Sequence, residues 1–491
     1  MNRRRTILAR RGLAALAAAA APLLLSTLPA VASPAAGPVR AEAVTGPVAG
    51  GNGAIVLQGT SFALGRVGYT QAEFFLSGTA SSYTPAEPLA PGGRWRVAPA
   101  STAPYTTRMV VYRPANPARF NGTVIVEWLN VSAGLDVAAD WIYDHNELIR
   151  DGFAWVGVSA QAAGVTADRA ADPVRYAALS HPGDSYSYDI FSQAGRAVRA
   201  SAAKLLGGLR PRRVLAEGES QSAFRLTTYI DAIQPLAHSY DGFLVHSRGG
   251  GSAPLSQAPQ ADVPTPPVVY FRPDLGVPVL AVETETDLMV LGYLPDRQAD
   301  AAGFRLWEVA GTAHADDYIS NVGAGDDGSG AADRAELAAM LSPPAGTPGF
   351  TCGRPINTGE GHYVVDAAAY ALDRWAATGI PPARAARLQV TASGTGFVLD
   401  ANGNARGGIR TPAVDVPVAA LSGLGQSGAS FCFLFGTTVP FSATRLAALY
   451  PSHARFVARW TADTLADAAK GFLRPADAAE LIAAAAESTI P

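Results

Sequence analysis

The sequence predicts an α/β protein with a mostly parallel central sheet and helices on both faces. Short apolar runs rich in β-branched residues alternate along the chain with longer segments in which apolar residues recur at helical spacing. This alternation is typical of strand–helix–strand units, which place helices on the faces of a parallel sheet. The 491 residues, 48% of them hydrophobic, are sufficient for a large core.

The N-terminus predicts an export signal over residues 1–32. Five arginines among the first 11 residues precede an apolar run from Gly12 to Leu28, and Ala30-Val31-Ala32 offers a small-residue cleavage site. Arg4-Arg5 resembles a twin-arginine signal, and Sec export stays open. Cleavage would leave no stable membrane anchor, so we expect a secreted or periplasmic protein that begins with a linker over residues 33–52.

The rest of the chain, residues 53–491, is assigned to one domain of this α/β type. Its first part contains apolar, β-branched runs and two amphipathic segments. Strands are predicted at 74–76, 107–112, 123–128 and 153–158, and helices at 140–150 and 186–206.

The next strand ends in a turn with a serine at its tip. Val214-Leu215-Ala216 is apolar, Gly218 and Ser222 flank Ser220, and a helical pattern begins at Phe224. A strand, a sharp turn carrying a serine and a helix form a nucleophile elbow, usually written G-x-S-x-G. The turn needs small neighbours, because bulk two residues away on either side would clash across it. Ser220 is the candidate nucleophile; the alternative is an ordinary strand–helix junction with a capping serine.

Two later strands end in groups that complete a catalytic triad. Strands are predicted at 242–246, 279–282 and 304–309; an acidic loop follows the second, and a small-residue loop with His314 follows the third. The order serine, acid, histidine is that of the elbow-containing fold, and parallel strands deliver such groups to one edge. We expect His314 to be the base and Asp287 to orient it, with Glu285 as the alternative acid.

Five further residues are predicted around this triad. The tetrahedral intermediate of acyl transfer needs two N–H donors. Gln221, directly after the nucleophile, should supply one, and the Leu129 backbone should supply the other, with Asn130 as the alternative. Asn130, His246 and Tyr186 are predicted to contact substrate; the alternative for His246, which ends a strand, is that it satisfies the core.

Three larger features complete the predicted domain. A polar and aromatic loop near residues 162–188 could act as a substrate lid, or could simply contain a capped helix start. Segments 361–378 and 444–485 are helical in pattern. Between them, a Gly-, Asp- and Pro-rich stretch near residues 385–440 predicts a small β-rich appendage.

The composition argues against several classes of partner. A net charge of -3 gives no basic footprint for nucleic acid. The sequence contains neither a cysteine cluster nor a phosphate-binding loop, and no metal or cofactor is expected. Its two cysteines, Cys352 and Cys432, are predicted to form a disulfide after export. Two free, buried thiols are the alternative.

Seven stretches spread over the chain carry a resemblance to a known family. They are VEWLNVSAG (126–134), HPGDSYSYDIFSQAG (181–195), GESQSA (218–223), VETETD (282–287), WEVAGTAHAD (307–316), HYVVDAAAYALDRW (362–375) and GNARGGIRTPAVDVPVA (403–419). The chain resembles the exported bacterial α/β hydrolase domain-containing family, a branch of the α/β-hydrolase superfamily. The resemblance implies the α/β-hydrolase fold and a serine hydrolase, with Ser220 as nucleophile, His314 as base and Asp287 as acid.

The sequence therefore predicts an exported serine hydrolase that acts on a small-molecule carboxylic ester through an acyl-enzyme. Lactone, amide and acyl-transfer chemistry are alternatives on the same three residues. A hydrolase-like scaffold used only for binding is a further alternative, although binding alone would not require all three residues.

Overall fold

A computed structural model describes residues 42–490, and its main feature is a nine-stranded sheet. The predicted signal segment 1–32 lies outside the described residues. The strands are β1 Ala43–Thr45, β2 Tyr69–Pro85, β3 Val97–Pro114, β4 Thr123–Trp128, β5 Ala154–Val158, β6 Arg213–Glu219, β7 Phe243–His246, β8 Val279–Glu283 and β9 Phe304–Glu308. Their spatial order is β1-β2-β3-β5-β4-β6-β7-β8-β9.

The sheet confirms the predicted fold class. Strands β5, β4, β6, β7, β8 and β9 are parallel, whereas β1, β2 and β3 add an antiparallel edge. After β4 the chain crosses to β5 on one side, and then returns to place β6 on the other side of β4. Ligands of open α/β sheets bind at such a reversal, outside the C-terminal ends of the strands.

Helices cover both faces of the sheet. They are α1 Ala139–Arg150, α2 Ala162–Ala171, α3 Ser187–Ala200, α4 Ala202–Leu205, α5 Gln221–Thr228, α6 Gln234–Ala237, α7 Glu285–Met289, α8 Ala331–Leu341, α9 Gly361–Thr378, α10 Pro412–Asp415, α11 Ala443–Leu449, α12 His453–Lys470 and α13 Pro475–Glu487. None of these helices in residues 42–490 has the length and apolarity needed to cross a bilayer.

Alternation along β4 shows how the two faces are filled. Val124, Val126 and Trp128 pack on the side of α3 and α5, whereas Ile125 packs on the side of α1 and α9. Successive residues of a strand point to opposite faces, so a fully apolar strand indicates burial on both. The predicted strand at 123–128 therefore occupies the centre of the sheet.

Several predicted segments differ from the structure in their details, two of them near the ends of the described chain. Ala43–Thr45, inside the expected linker 33–52, pairs antiparallel with β2, because Val44 packs against the core. The helical segment expected at 444–485 is three helices, α11 to α13. The chain turns at Pro451 between α11 and α12, and Gly471, with φ +82°, ends α12 in a left-handed conformation that favours glycine.

The C-terminal part also contains two small antiparallel sheets. One pairs β10 Gly346–Thr347 with β11 Phe350–Thr351, and the other pairs β12 Ala419–Ser422 with β13 Thr437–Pro440. The second lies in the stretch predicted to be a β-rich appendage. The predicted disulfide between Cys352 and Cys432 is present and joins the segment after β11 to a short 3-10 turn, Ser430–Leu434.

Candidate active site

Ser220 lies in a strained turn between β6 and α5. Its φ of 57° and ψ of -118° fall outside the regions that side-chain-bearing residues favour. Gly218 and Ser222 face each other across the turn, and a Cβ atom at Gly218 would lie 3.1 Å from the Ser222 carbonyl carbon. Larger residues at these positions would push the turn apart, which explains why both are small.

The serine hydroxyl belongs to a chain of hydrogen bonds. Nε2 of His314 lies 2.7 Å from Oγ of Ser220, and Nδ1 of His314 lies 2.7 Å from Oδ1 of Asp287. The Asp287 and His314 side chains are buried, while Ser220 opens to a cavity. The structure thus brings together three groups that are separated by up to 94 residues in the chain.

Asp287 is held as a carboxylate. Burial by itself would raise its pKa, but the attraction of His314 and the hydrogen bonds it accepts keep the pKa below the ordinary value. Its Oδ2 accepts from the backbone N–H and the hydroxyl of Thr284, at 2.6 and 2.7 Å. The remaining oxygen is therefore fixed toward the imidazole, which fixes the His314 tautomer.

Glu285, the alternative acid, binds loop residues and not the His314 imidazole. Its carboxylate accepts from the Gly311 N–H at 2.7 Å, from the Gly423 N–H at 2.9 Å and from the Ser422 hydroxyl at 3.1 Å. Burial raises the pKa of Glu285 to about 7. It joins the loop before His314 to the end of β12, so it supports the loop rather than the imidazole.

Only one of the two expected oxyanion donors has a free N–H. Gln221 is the first residue of α5, where the N–H has no acceptor within the helix. The Leu129 N–H instead donates to the Val158 carbonyl at 3.3 Å, because pairing with β5 extends past Trp128. The Asn130 N–H is also occupied, since it donates to the Val137 carbonyl at 2.9 Å.

Asn130 lines the cavity, but His246 and Tyr186 do not. His246 is buried, with Nδ1 2.9 Å from a carboxylate oxygen of Asp140. The Tyr186 hydroxyl lies 3.0 Å from the Ser101 hydroxyl and accepts from the Gln260 amide. Both side chains have hydrogen-bond partners inside the structure, and no position of the proposed lid near 162–188 lines the cavity.

A carboxyl group that sequence reasoning missed lies beside the triad. Glu219 lines the cavity, and its Oε1 is 3.6 Å from Nε2 of His314. The Asn130 amide donates to its Oε2 at 3.1 Å. Burial first, and then neighbouring carboxylates such as Asp140, raise the pKa of Glu219 well above its ordinary value. The available signal was Glu217 and Glu219, which lie on one face of a strand that is apolar from Val214 to Ala216.

The cavity over Ser220 has a volume of about 660 Å³, within the range of small-molecule sites. Its floor contains the three polar groups next to the elbow, Asn130, Glu219 and His314. Its walls are mainly apolar and come from the start of α1, from the β10–β11 hairpin and from the 3-10 turn Ser430–Leu434.

This sheet, with a hydroxyl, an imidazole and a carboxylate joined at its C-terminal edge, defines an α/β hydrolase. A family model agrees over most of the chain. Residues 44–483 match the family described as alpha/beta hydrolase domain, and the chain belongs to that family. The protein is accordingly a hydrolase by family and fold. No curated protein matches the sequence.

Solved structures of esterases show a distant likeness. A fungal esterase from Rhizomucor miehei is 10% identical, with a TM-score of 0.24 and coverage of 42% of this chain and 67% of that chain. The esterase Est22 is 12% identical, with a TM-score of 0.25 and coverage of 47% and 71%. The family match and the sheet establish the assignment.

Proposed function

We propose that the protein is an exported serine hydrolase that cleaves carboxylic esters through an acyl-enzyme on Ser220. The observation that carries the proposal is the hydrogen-bonded chain from Ser220 through His314 to Asp287, with 2.7 Å at each step. Nucleophile and base within hydrogen-bond reach, with the base oriented by a third group, are the geometric signature of nucleophilic catalysis.

In the acylation step, the Ser220 oxygen attacks the ester carbonyl carbon while its proton passes to Nε2 of His314. Asp287 keeps Nδ1 protonated and stabilises the imidazolium that forms. The oxyanion is held by the Gln221 N–H, at the positive end of α5. His314 then gives its proton to the alcohol oxygen, which leaves.

Deacylation repeats the same proton transfers with water. His314 accepts a proton from a water molecule in the cavity, and the resulting hydroxide attacks the acyl carbon. The second tetrahedral intermediate collapses, the proton on Nε2 returns to the Ser220 oxygen, and the carboxylic acid is released. No group besides the chain and water is required by these steps.

A labelling experiment tests this proposal directly. The purified mature protein is treated with a fluorophosphonate probe and assayed with p-nitrophenyl acetate. We expect one labelled residue, Ser220, and loss of both labelling and hydrolysis in Ser220→Ala, while Ser222→Ala keeps its label. Absence of labelling and of hydrolysis in the unmodified protein would contradict the proposal. A panel of lactones and amides, with and without an alcohol acceptor, separates ester hydrolysis from its alternatives.

Export is supported by the N-terminal sequence and by the disulfide, which persists in oxidising compartments. Expression of the full chain with its own N-terminus, followed by mass spectrometry of the processed protein, tests it. We expect a mature chain that begins at or near Ser33, outside the cytoplasm. Cytoplasmic protein with an intact N-terminus would contradict export.

A further inference from the structure

The charges around the cavity restrict the substrate. Among the described residues that line it, only Glu219 and His314 carry ionisable side chains, and no lysine or arginine is present. An anionic group bound here would lose its water without gaining a counter-charge, which is unfavourable. It would also lie close to the Glu219 carboxyl. The cavity therefore favours an uncharged substrate.

One wall of the cavity is apolar and sits beside His314. Phe431, Leu434 and Phe435, from the turn at Ser430–Leu434 and the residue after it, line this wall. The N–H of Ala315, the residue after His314, donates to the Leu434 carbonyl at 3.1 Å. The position of the wall is thus fixed relative to the imidazole. We call these three residues the aromatic wall, after its two phenylalanines.

The aromatic wall is rigidly anchored. Cys432 is fully buried and joined to Cys352, and the Phe435 ring packs edge-on against Phe350 with centroids 5.6 Å apart. Ser430 has φ +55°, a conformation that side-chain-bearing residues seldom adopt. Strained conformations persist only where the surrounding structure holds them, and they are common at ligand sites.

Two phenylalanines of this turn differ in a useful way. Phe431 is 43% exposed and lines the cavity, whereas Phe433 is 47% exposed and does not. Their exposure and their local structure are nearly the same. A change in substrate selectivity that depends on the cavity should therefore appear when Phe431 is replaced and not when Phe433 is replaced. A change caused by general disturbance of the turn should appear in both variants.

The chemistry identifies which part of the substrate meets this wall. In acylation, His314 must give its proton to the oxygen of the leaving alcohol, so the alcohol portion lies next to the imidazole. The aromatic wall is hydrogen-bonded to the residue that follows His314. From this placement we infer that the cavity selects uncharged esters with a bulky apolar alcohol part, aryl or alkyl, which packs on Phe431. The inference rests on the proposed function.

The test uses acetate esters that differ only in the alcohol: ethyl, butyl, phenyl and 2-naphthyl acetate. All give the same acetyl-enzyme, so differences in kcat/KM report acylation and the binding of the alcohol. Comparing each variant with the unmodified protein on the same ester cancels the intrinsic reactivity of the leaving group. We expect a gain of about fourfold for each buried methylene in the alkyl series, from the transfer free energy of a methylene.

The decisive comparison is between Phe431→Ala and Phe433→Ala. Phe431→Ala should lower kcat/KM about tenfold more for 2-naphthyl acetate than for ethyl acetate, whereas Phe433→Ala should leave that ratio unchanged. After each rate is divided by the uncatalysed hydrolysis rate of the same ester, methyl 4-acetoxybenzoate should react about tenfold faster than 4-acetoxybenzoate, its carboxylate counterpart. Equal responses of the two variants, or equal normalised rates on the two benzoates, would overturn the inference.

The outcomes also separate this inference from the proposed function. Fluorophosphonate labelling of Ser220 together with hydrolysis that is indifferent to the alcohol would overturn the inference alone. The loss of kcat/KM in Phe431→Ala could instead depend on the length of the acyl chain of p-nitrophenyl esters and not on the alcohol. That result would overturn the assignment of the aromatic wall to the alcohol part of the substrate. Absence of labelling and of hydrolysis would overturn the proposed function, and the inference with it.

Discussion

The Oε1 atom of Glu219 lies 3.6 Å from Nε2 of His314, the ring nitrogen that also contacts the Ser220 hydroxyl at 2.7 Å. An ionised Glu219 at this distance would favour the protonated imidazole, which forms in the proposed mechanism when the serine proton is transferred. Burial raises the pKa of Glu219, whereas the hydrogen bond from Asn130 opposes the rise. The protonation state of Glu219 therefore decides whether a negative charge lies beside the imidazole.

Replacing Glu219 by glutamine should change the pH dependence of the reaction. Glutamine resembles the protonated carboxyl, so the profiles of kcat/KM against pH should agree at low pH, where Glu219 is protonated. At higher pH only Glu219 can become an anion beside the ring, so there the two profiles should diverge. Glu217→Gln is the matched control, since it makes the same change on the same face of β6 without lining the cavity. Identical profiles for both variants would contradict a role of Glu219 at the imidazole.

The two carboxylates of α7 should differ sharply in their effect on catalysis. Asp287→Asn removes the charge beside Nδ1 and favours the wrong imidazole tautomer, and we expect kcat to fall by about 10⁴-fold. Glu285→Gln leaves the imidazole contact in place and should lower kcat much less, while weakening the loop that it binds. Steady-state kinetics with p-nitrophenyl acetate and thermal unfolding of both variants make the comparison. A larger kcat loss in Glu285→Gln would reassign the acid.

The elbow and the positions of most strands along the chain could be read from the sequence because their signals are local. Small residues around Ser220, apolar β-branched runs and a histidine after a strand each depend on a few neighbouring residues. The disulfide was predicted correctly because the chain has only two cysteines and its N-terminal sequence predicts export to a compartment that permits disulfides. These features need no knowledge of how distant parts of the chain meet.

The walls of the cavity could not be predicted, because they depend on tertiary packing. The β10–β11 hairpin and the turn at Ser430–Leu434 are short and irregular, and the disulfide brings them together from 80 residues apart. The N–H of Leu129, the expected oxyanion donor, is bonded to β5 instead, because the strand pairing continues one residue past Trp128. Sequence patterns do not define a strand end to a single residue. Tyr186 and His246, which were predicted to contact substrate, are hydrogen-bonded to other residues of the protein and do not line the cavity.

Buried carboxyls should make the protein more stable in mild acid than at neutral pH. Burial first, and then neighbouring carboxylates, raise the pKa of Glu217 and of Asp144 well above their ordinary values. The folded state keeps its proton on Glu217 above pH 4.5, where the unfolded chain has released it. Stability is therefore lost as the pH rises from 4.5 toward the folded pKa, by about 1.4 kcal/mol for each pH unit and each proton.

Glu217→Gln isolates this effect. The amide resembles the protonated carboxyl, so the variant and the unmodified protein should have similar stability at pH 4.5, and the variant should be the more stable at pH 8. Thermal unfolding across this range measures the difference. Glu87→Gln, at an exposed position, is the control and should follow the unmodified protein throughout. A variant that is less stable at pH 8 would show that the Glu217 carboxylate is favourably paired in the folded state.

Removing the disulfide should affect both stability and selectivity. The bond between Cys352 and Cys432 closes a long loop, and its loss in Cys352→Ser/Cys432→Ser should lower the free energy of unfolding by about 2–4 kcal/mol. Urea unfolding measures this term. Because the same bond anchors the turn that carries Phe431, the preference for 2-naphthyl over ethyl acetate should also fall.

A loss of selectivity in the double serine variant can be assigned to the missing disulfide only if the variant remains folded during the assay. The kinetics are measured at a temperature where the double serine variant is fully folded, and the unmodified protein after reduction should behave like the variant. Phe433→Ala, with the disulfide intact, shows whether any disturbance of the turn is enough to lower the preference for 2-naphthyl over ethyl acetate. If the variant loses stability but keeps its 2-naphthyl to ethyl ratio, hydrogen bonds such as that from Ala315 to Leu434 hold the wall in place without the covalent bond.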